Sequence, residues 1–277
     1  MGILEAIILG IIEGITEFLP ISSTGHLTIA EKLFGNSIGD PDIVAFTAII
    51  QFGTIAAAII YFRKDISRIV TAWLGGLFAS DKRNYDYRLG WAVILGSIPI
   101  AVVGLAFKDK IETGVRSLWI VAAGLIIWSG FMWLADRTAK QNRPEKAANW
   151  RDTLAIGVTQ CLALIPGVSR SGATIAAGLF RGFDRTAATR LSFFLAIPAL
   201  LAAALLETVT KADQISQGVG WGPTIVATIT SFIVGYASIA WLLKYISKHG
   251  FGAFIIYRVA LGIGVILLLV TGAVSAT

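Results

Sequence analysis

The chain has 277 residues, 23 of them Lys or Arg and 17 Asp or Glu, so 14% are charged where an ordinary soluble domain has about 25%. With 56% hydrophobic residues and a mean hydropathy of +0.76, a water-soluble globule and a disordered chain are both excluded. One cysteine, Cys161, excludes a disulfide framework or a multi-cysteine metal site. Two histidines, His26 and His249, exclude a polyhistidine zinc site, and the net charge of +6 in so apolar a chain reports topology rather than nucleic-acid binding.

Residues 3–34 form the first apolar stretch. It lacks a basic n-region and is interrupted by Glu5, Glu13 and Glu17, so it does not read as a cleavable signal peptide. Pro-Ile-Ser-Ser-Thr-Gly at 20–25 divides it into short helix, polar break, short helix. Broken backbone in a bilayer is tolerated only where protein or a water-filled cavity satisfies it, so this stretch is predicted to be a re-entrant hairpin. A membrane-crossing helix needs about 20 mainly apolar residues. Uncharged runs at 43–62, 89–107 and 117–135 meet that need. The polar segment 138–151 reads as a linker. Residues 153–180 then repeat the hairpin pattern around Pro-Gly-Val-Ser-Arg-Ser-Gly at 166–172. Three further uncharged runs follow at 191–206 (extending past Glu207 to Val209), 214–243 (part of it loop) and 259–277. The predicted architecture is all-α and polytopic, with six transmembrane helices and two re-entrant hairpins. Trp73, Trp91, Trp119, Trp128, Trp133, Trp150, Trp221 and Trp241 read as interfacial anchors, and Gly10 with Gly14 as a helix-packing pair.

Placing the predicted loop 63–90 in the cytoplasm puts seventeen basic residues there, Arg258 among them. Five lie outside, Lys32, Lys108, Lys110, Arg116 and Lys211, and Arg170, inside a hairpin, is not counted. This asymmetry predicts both termini outside. Aligning Pro20 with Pro166 also places Ser23 on Ser169. Residues 1–140 (hairpin 3–34; spans 43–62, 89–107, 117–135) and 150–277 (hairpin 153–180; spans 190–209, 221–243, 255–275) therefore read as two repeats. Three spans per repeat is odd, so the second enters the membrane inverted and the hairpin tips can meet near the midplane.

Glu13 and Glu17 are four apart, hence roughly 40° apart on one helix face. Ser22, Ser23, Thr24, Gly25 and His26 follow. The second break carries Ser169, Arg170, Ser171, Gly172 and Thr174. An ionisable group inside a membrane is a functional hypothesis by default. The competing reading is an internal network, Glu17 with Arg170 or His26, that holds the repeats together. Four ionisable groups at two matching breaks favour a site. Opened helices aim free N–H groups outward, as phosphate binding requires, and Arg170 adds a planar donor fork. Two carboxylates beside a phosphate repel it unless protonated or bridged by a cation, and Mg²⁺ bound by carboxylates and phosphate oxygens suits this. A serine or His26 is a candidate nucleophile, with the other group as base or acid.

The motifs EGITEFLPISSTGH at 13–26 and PGVSRSGAT at 166–174 resemble the two signature regions of the undecaprenyl-diphosphate phosphatases, the bacitracin-resistance family of integral membrane enzymes. The resemblance covers the whole chain, including Gln51-Phe52-Gly53. It implies hydrolysis of undecaprenyl diphosphate to the monophosphate in the bacterial cytoplasmic membrane, which recycles the lipid carrier for peptidoglycan synthesis. It also implies an outward-facing active site containing Glu13, Glu17, Ser23, His26, Ser169 and Arg170, and a divalent cation, Mg²⁺ or Ca²⁺. Within that site Arg170 is expected to clamp phosphate and Ser23 to attack, with His26 as base or leaving-group acid. Glu17, with Glu13, holds the cation or orients His26. Attack by His26 or by activated water stays open. Ser22, Thr24, Gly25, Ser169, Ser171, Gly172, Thr174 and Gln51 are candidate substrate contacts. Expected partners are a polyprenyl diphosphate and membrane lipids, with no nucleic acid and a homodimer left open. The alternative class is a polyprenyl-phosphate flippase or secondary transporter with a midplane site.

Overall fold

The computed structural model describes residues 1–107 and 117–276. Eleven α-helices are present among them: α1 Ile3–Thr16, α2 Ser23–Leu33, α3 Pro41–Tyr61, α4 Arg63–Phe78, α5 Tyr85–Ala106, α6 Leu118–Thr138, α7 Trp150–Gln160, α8 Arg170–Phe180, α9 Arg185–Gln217, α10 Trp221–Ile246 and α11 Gly252–Val270. Six of them, α3, α5, α6, α9, α10 and α11, are long and apolar enough to cross a membrane. The chain is a multi-span membrane protein.

Local sequence explains the helix ends. Pro41 opens α3, and the Asp40 side chain accepts from the Asp42 N–H. Asn84 starts α5 four residues before the uncharged run begins. Asn149 and Asp152 form a reciprocal capping box on α7. The predicted span 190–209 lies inside the longer α9, which Asp184 caps at its start and which passes Glu207 to end at Gln217. The uncharged run 214–243 is divided at Gly218–Gly220, where Gly220 takes φ +86. Within 63–90, where a loop was expected, lies α4. The last span starts at Gly252 and encloses Arg258, which is fully buried, so Arg258 does not belong among the cytoplasmic loop charges. Of the five charges assigned outside, Lys108, Lys110 and Arg116 lie outside the described residues.

Packing follows small residues. α1 runs along α10, and α7 along α5. A Cβ on Gly10 would sit 2.6 Å from the Ala227 carbonyl oxygen, and one on Gly157 would overlap the Gly96 carbonyl. Both helix pairs therefore approach closer than any side chain allows. α3 also packs on α10 and α9 on α5, while α3 meets α9 and α6 meets α11. A cluster containing Phe18, Phe62, Phe183, Phe193 and Phe194 fills the interior below the first break, with Phe18 edge-on to Phe193 at 4.9 Å. On the linker side, Asp152 is fully buried and accepts from Arg143 and Arg181 at 2.7 and 2.8 Å. The linker backbone adds bonds to the turn between α8 and α9 through Gly182 and Asp184. Burial alone would raise the Asp152 carboxyl. The two guanidiniums and the Asn149 N–H outweigh it and hold the group below the usual carboxylate range.

Candidate active site

α1 ends at Thr16, and Glu17 sits at its C-cap. The chain then crosses a short irregular segment to Ser22, which caps α2. Ser22 takes φ 77 and its Oγ accepts from the Gly25 N–H. The second break ends the same way, with Ser169 at φ 73 capping α8 and accepting from the Gly172 N–H. Non-glycine residues rarely adopt positive φ, so two serines doing so at matching helix starts is a shared device. Matched cap to cap, Ser22 lies on Ser169, Gly25 on Gly172, and Ser23 on Arg170, one residue out of step with the proline alignment, because cap geometry sets the helix phase. Gly167 at φ +90 accommodates the extra residue, with space for no side chain against the Val121 carbonyl.

The two breaks touch. Ser23 Oγ donates to Glu17 Oε2 at 2.6 Å, while Arg170 Nη2 donates to Glu17 Oε1 at 3.2 Å and to the Glu17 carbonyl at 3.3 Å. The Arg170 guanidinium lies 5.5 Å from the Phe18 ring centre. Ser171 Oγ donates to the Leu19 carbonyl at 2.9 Å. The internal network that competed with a functional reading is thus present in part, as Glu17 with Arg170. It does not use up the charges. Arg170 Nε and Nη1, and Glu13 Oε2, are buried without a partner among the described residues. An unsatisfied buried group is costly, so these three atoms have bonding capacity to offer between the breaks.

His26 stands at the open side of the first break. Its Nδ1 lies 2.7 Å from the Ser22 carbonyl oxygen and its Nε2 lies 2.8 Å from the Tyr257 hydroxyl. A carbonyl only accepts, so Nδ1 carries the proton and Nε2 accepts from Tyr257 in the neutral ring. Ser22 and Tyr257, not Glu17, therefore orient His26. Thr24 is exposed and Ser23 and His26 are half-buried, whereas Ser169, Ser171 and Gly172 are buried. The site opens beside α2.

Four expected contacts, Thr174, Gly25, Gly172 and Gln51, have other partners within the protein. Thr174 Oγ1 bonds the Arg170 carbonyl and Ser192 Oγ, at 2.8 and 2.6 Å, so it joins α8 to α9. Gly25 and Gly172 give their N–H groups to the caps, leaving those of Ser23, Thr24, Arg170 and Ser171 for a ligand. Gln51 is half-buried on α3, and its carbonyl accepts from Thr54, whose hydroxyl lies 3.5 Å from Glu13 Oε1.

Arg258 was not foreseen here. From α11 it donates to the Pro20 carbonyl in the first break (3.3 Å) and to the Gly167 and Val168 carbonyls in the second (2.9 and 3.1 Å). It also reaches Ser129 Oγ on α6 at 3.0 Å. It satisfies carbonyls that neither break can satisfy internally, as irregular backbone in a membrane demands. The signal was an ionisable residue inside an apolar helix. The predicted span 255–275 already encloses Arg258, but the loop-charge count places it in the cytoplasm and so hides it.

A family model described as bacitracin resistance protein BacA matches residues 6–264. The chain is 60% identical over 278 residues to a protein named undecaprenyl-diphosphatase 3 from Frankia casuarinae, with 100% of each chain covered. It is 58% identical to an undecaprenyl-diphosphatase from Cutibacterium acnes, again with 100% of each covered. It is 47% identical to one from Mycolicibacterium gilvum at the same coverage.

Proposed function

The chain belongs to the BacA bacitracin-resistance family, and on that premise we propose that it is a membrane-embedded undecaprenyl-diphosphatase acting where the two breaks meet. It hydrolyses undecaprenyl diphosphate to undecaprenyl phosphate and inorganic phosphate, which returns the lipid carrier to cell-wall synthesis. One observation carries the site assignment: a carboxylate-held serine hydroxyl lies beside buried, uncommitted arginine donors.

Arg170 Nε and Nη1 donate to the oxygens of the terminal phosphoryl group and stabilise the charge that develops there. Ser23 Oγ attacks that phosphorus and gives its proton to Glu17 Oε2, 2.6 Å away. The new bond is serine oxygen to phosphorus. The bond that breaks joins this phosphorus to the bridging oxygen, which leaves with undecaprenyl phosphate. Water then attacks the phosphoserine, the bond from the serine oxygen to phosphorus breaks, Glu17 returns its proton to Ser23 Oγ, and phosphate leaves carrying the oxygen and protons of the water. His26, fixed by Ser22 and Tyr257, faces the same opening and serves the leaving group or the water.

A divalent cation, Mg²⁺ or Ca²⁺, fits the donor set. Of the two candidate ligands, Glu13 would hold it first, through its unpartnered Oε2; Glu17, whose oxygens take Arg170 and Ser23, would join it only while ionised. The described residues contain no group of three or more His, Cys, Asp or Glu placed for a metal, so substrate oxygens and water complete the shell, as is usual for Mg²⁺. When bound, the cation neutralises phosphoryl charge.

The proposed architecture is an inverted repeat of 1–140 and 150–277, each with a re-entrant hairpin. Equivalent packing supports it: α1 on α10 matches α7 on α5, and α3 on α10 matches α9 on α5. The matching serine caps support it as well. Without Arg258, sixteen of the seventeen cytoplasmic charges still favour both termini outside and an outward-opening site.

The test is phosphate release from a prenyl diphosphate by detergent-purified protein. Without a membrane to cross, a flippase or transporter releases none, and that result would overturn the proposal.

A further inference from the structure

α4 begins immediately after the span α3 ends, which places it at the membrane boundary. Its surface divides into three sectors. Ile69 and Gly76 are buried, Gly76 against the Tyr87 ring. Val70, Leu74, Leu77 and Phe78 are exposed and apolar. The third sector faces a groove of about 910 Å³ lined by Arg63, Lys64, Ser67, Arg68 and Thr71, with Lys82 and Asn84 opposite; Arg63 gives its Nη1 to the Ile60 carbonyl at 3.0 Å. Thr71 and Leu74, three residues apart, bring the polar and apolar sectors edge to edge.

Charge in the groove is unbalanced. Asp86 is its only acid and already pairs with Arg68 at 3.1 Å; Arg68 also reaches Asp65 at 3.2 Å. Lys64 and Lys82 have no ion-pair partner among the described residues. Two free ammonium groups and several hydroxyl and amide donors thus face a cavity whose rim is an exposed apolar helix face. A soluble anion would use the cations and leave that face idle. A lipid with a phosphate headgroup uses both. We propose that this groove holds the headgroup of an anionic glycerophospholipid, with its acyl chains along Val70, Leu74 and Phe78. The proposal does not depend on the hydrolytic site, because none of these residues touches the breaks.

Native mass spectrometry on detergent-purified protein, titrated with phosphatidylglycerol or phosphatidylcholine of matched chains, tests it. Wild type is expected to retain phosphatidylglycerol roughly tenfold more than phosphatidylcholine. Lys64→Gln with Lys82→Gln lowers that retention to the phosphatidylcholine level, and phosphate release in detergent stays at the wild-type rate. Lys64→Arg with Lys82→Arg keeps the preference. The control pair Lys244→Gln and Lys248→Gln, at and just beyond the C-terminal turn of α10, also keeps it. Four results would overturn the proposal: equal retention of both lipids by wild type, undiminished retention in the first double variant, equal loss in the control pair, or displacement of the lipid by millimolar inorganic phosphate.

Discussion

Ser22 and Ser169 hold the same backbone state, φ 77 and 73, and each accepts from the N–H of the glycine three residues on. Their surroundings diverge. After Ser22 come Ser23, Thr24 and His26, half-buried or exposed, with two carboxylates close by. After Ser169 come Arg170 and Ser171, closed in by α6 and α9 and tied to the first break through Glu17 and Leu19. The shared part is what an interrupted helix needs in any protein: a capped N-terminus and satisfied carbonyls. The unshared part is chemistry. On the proposed mechanism one break presents a nucleophile and its base to the opening, and the other supplies a buried cation. The two breaks share their cap and differ at the first helical position, Ser23 against Arg170.

The largest expected effect separates cap from nucleophile within one break. Ser23→Ala should reduce phosphate release by at least about 10³-fold, as loss of an activated nucleophile does. Ser22→Ala should cost about 1 kcal/mol of stability and retain much of the activity. Substantial turnover in Ser23→Ala would transfer the attack to His26 or water. Next comes the residue that serves both breaks. Arg258→Leu leaves the Pro20, Gly167 and Val168 carbonyls unsatisfied, each a penalty of about 1–3 kcal/mol. Thermal unfolding in detergent should drop clearly, and an unchanged midpoint would show that the breaks do not rely on it. Arg170→Lys tests the second break's chemistry. It keeps the charge and loses the fork, so kcat/KM should fall at least about tenfold, roughly 1.4 kcal/mol, at near wild-type stability. For the carboxylates, EDTA should stop activity, and Glu13→Gln should need more Mg²⁺ than wild type for the same rate. Indifference to chelation would leave Glu13 Oε2 to a different ligand.

The smallest effect lies outside both breaks. Asp152 titrates below its ordinary range when folded, so its stabilisation is complete above the unfolded-state pKa and is lost as pH falls through the folded one. Acid should lower the unfolding midpoint, and Asp152→Asn should flatten that slope. An unaltered slope would show that other carboxylates dominate.

Much of this was legible in the sequence because a bilayer leaves few options. Long uncharged runs had to be spans, and Pro- and Ser-rich interruptions had to be breaks sheltered by protein. What escaped depended on direction and phase. Proline alignment pairs Ser23 with Ser169, whereas the caps pair Ser22 with Ser169, because the two irregular segments differ by one residue, absorbed at Gly167. The Ser-x-x-Gly spacing, Ser22 to Gly25 and Ser169 to Gly172, held the correct phase. Thr174 lay near the motif yet turns toward Ser192, since one helical step rotates a side chain by about 100°. Arg258 and Tyr257 are more than 230 residues from the first break, and only the packing of α11 shows what they reach. α4 looked like loop because its charges masked its amphipathic period.

The central claim is that the two breaks form one working unit, and a double-mutant cycle on kcat/KM tests it most directly. Glu17→Gln, Arg170→Lys and the pair would be compared with wild type for phosphate release in detergent. Glu17 receives Arg170 Nη2 at 3.2 Å and Ser23 Oγ at 2.6 Å, so the account predicts strong coupling, with the pair losing at least about 1 kcal/mol less than the sum of the single losses. Losses that add within about 0.5 kcal/mol would mean that the breaks act independently, and would contradict it.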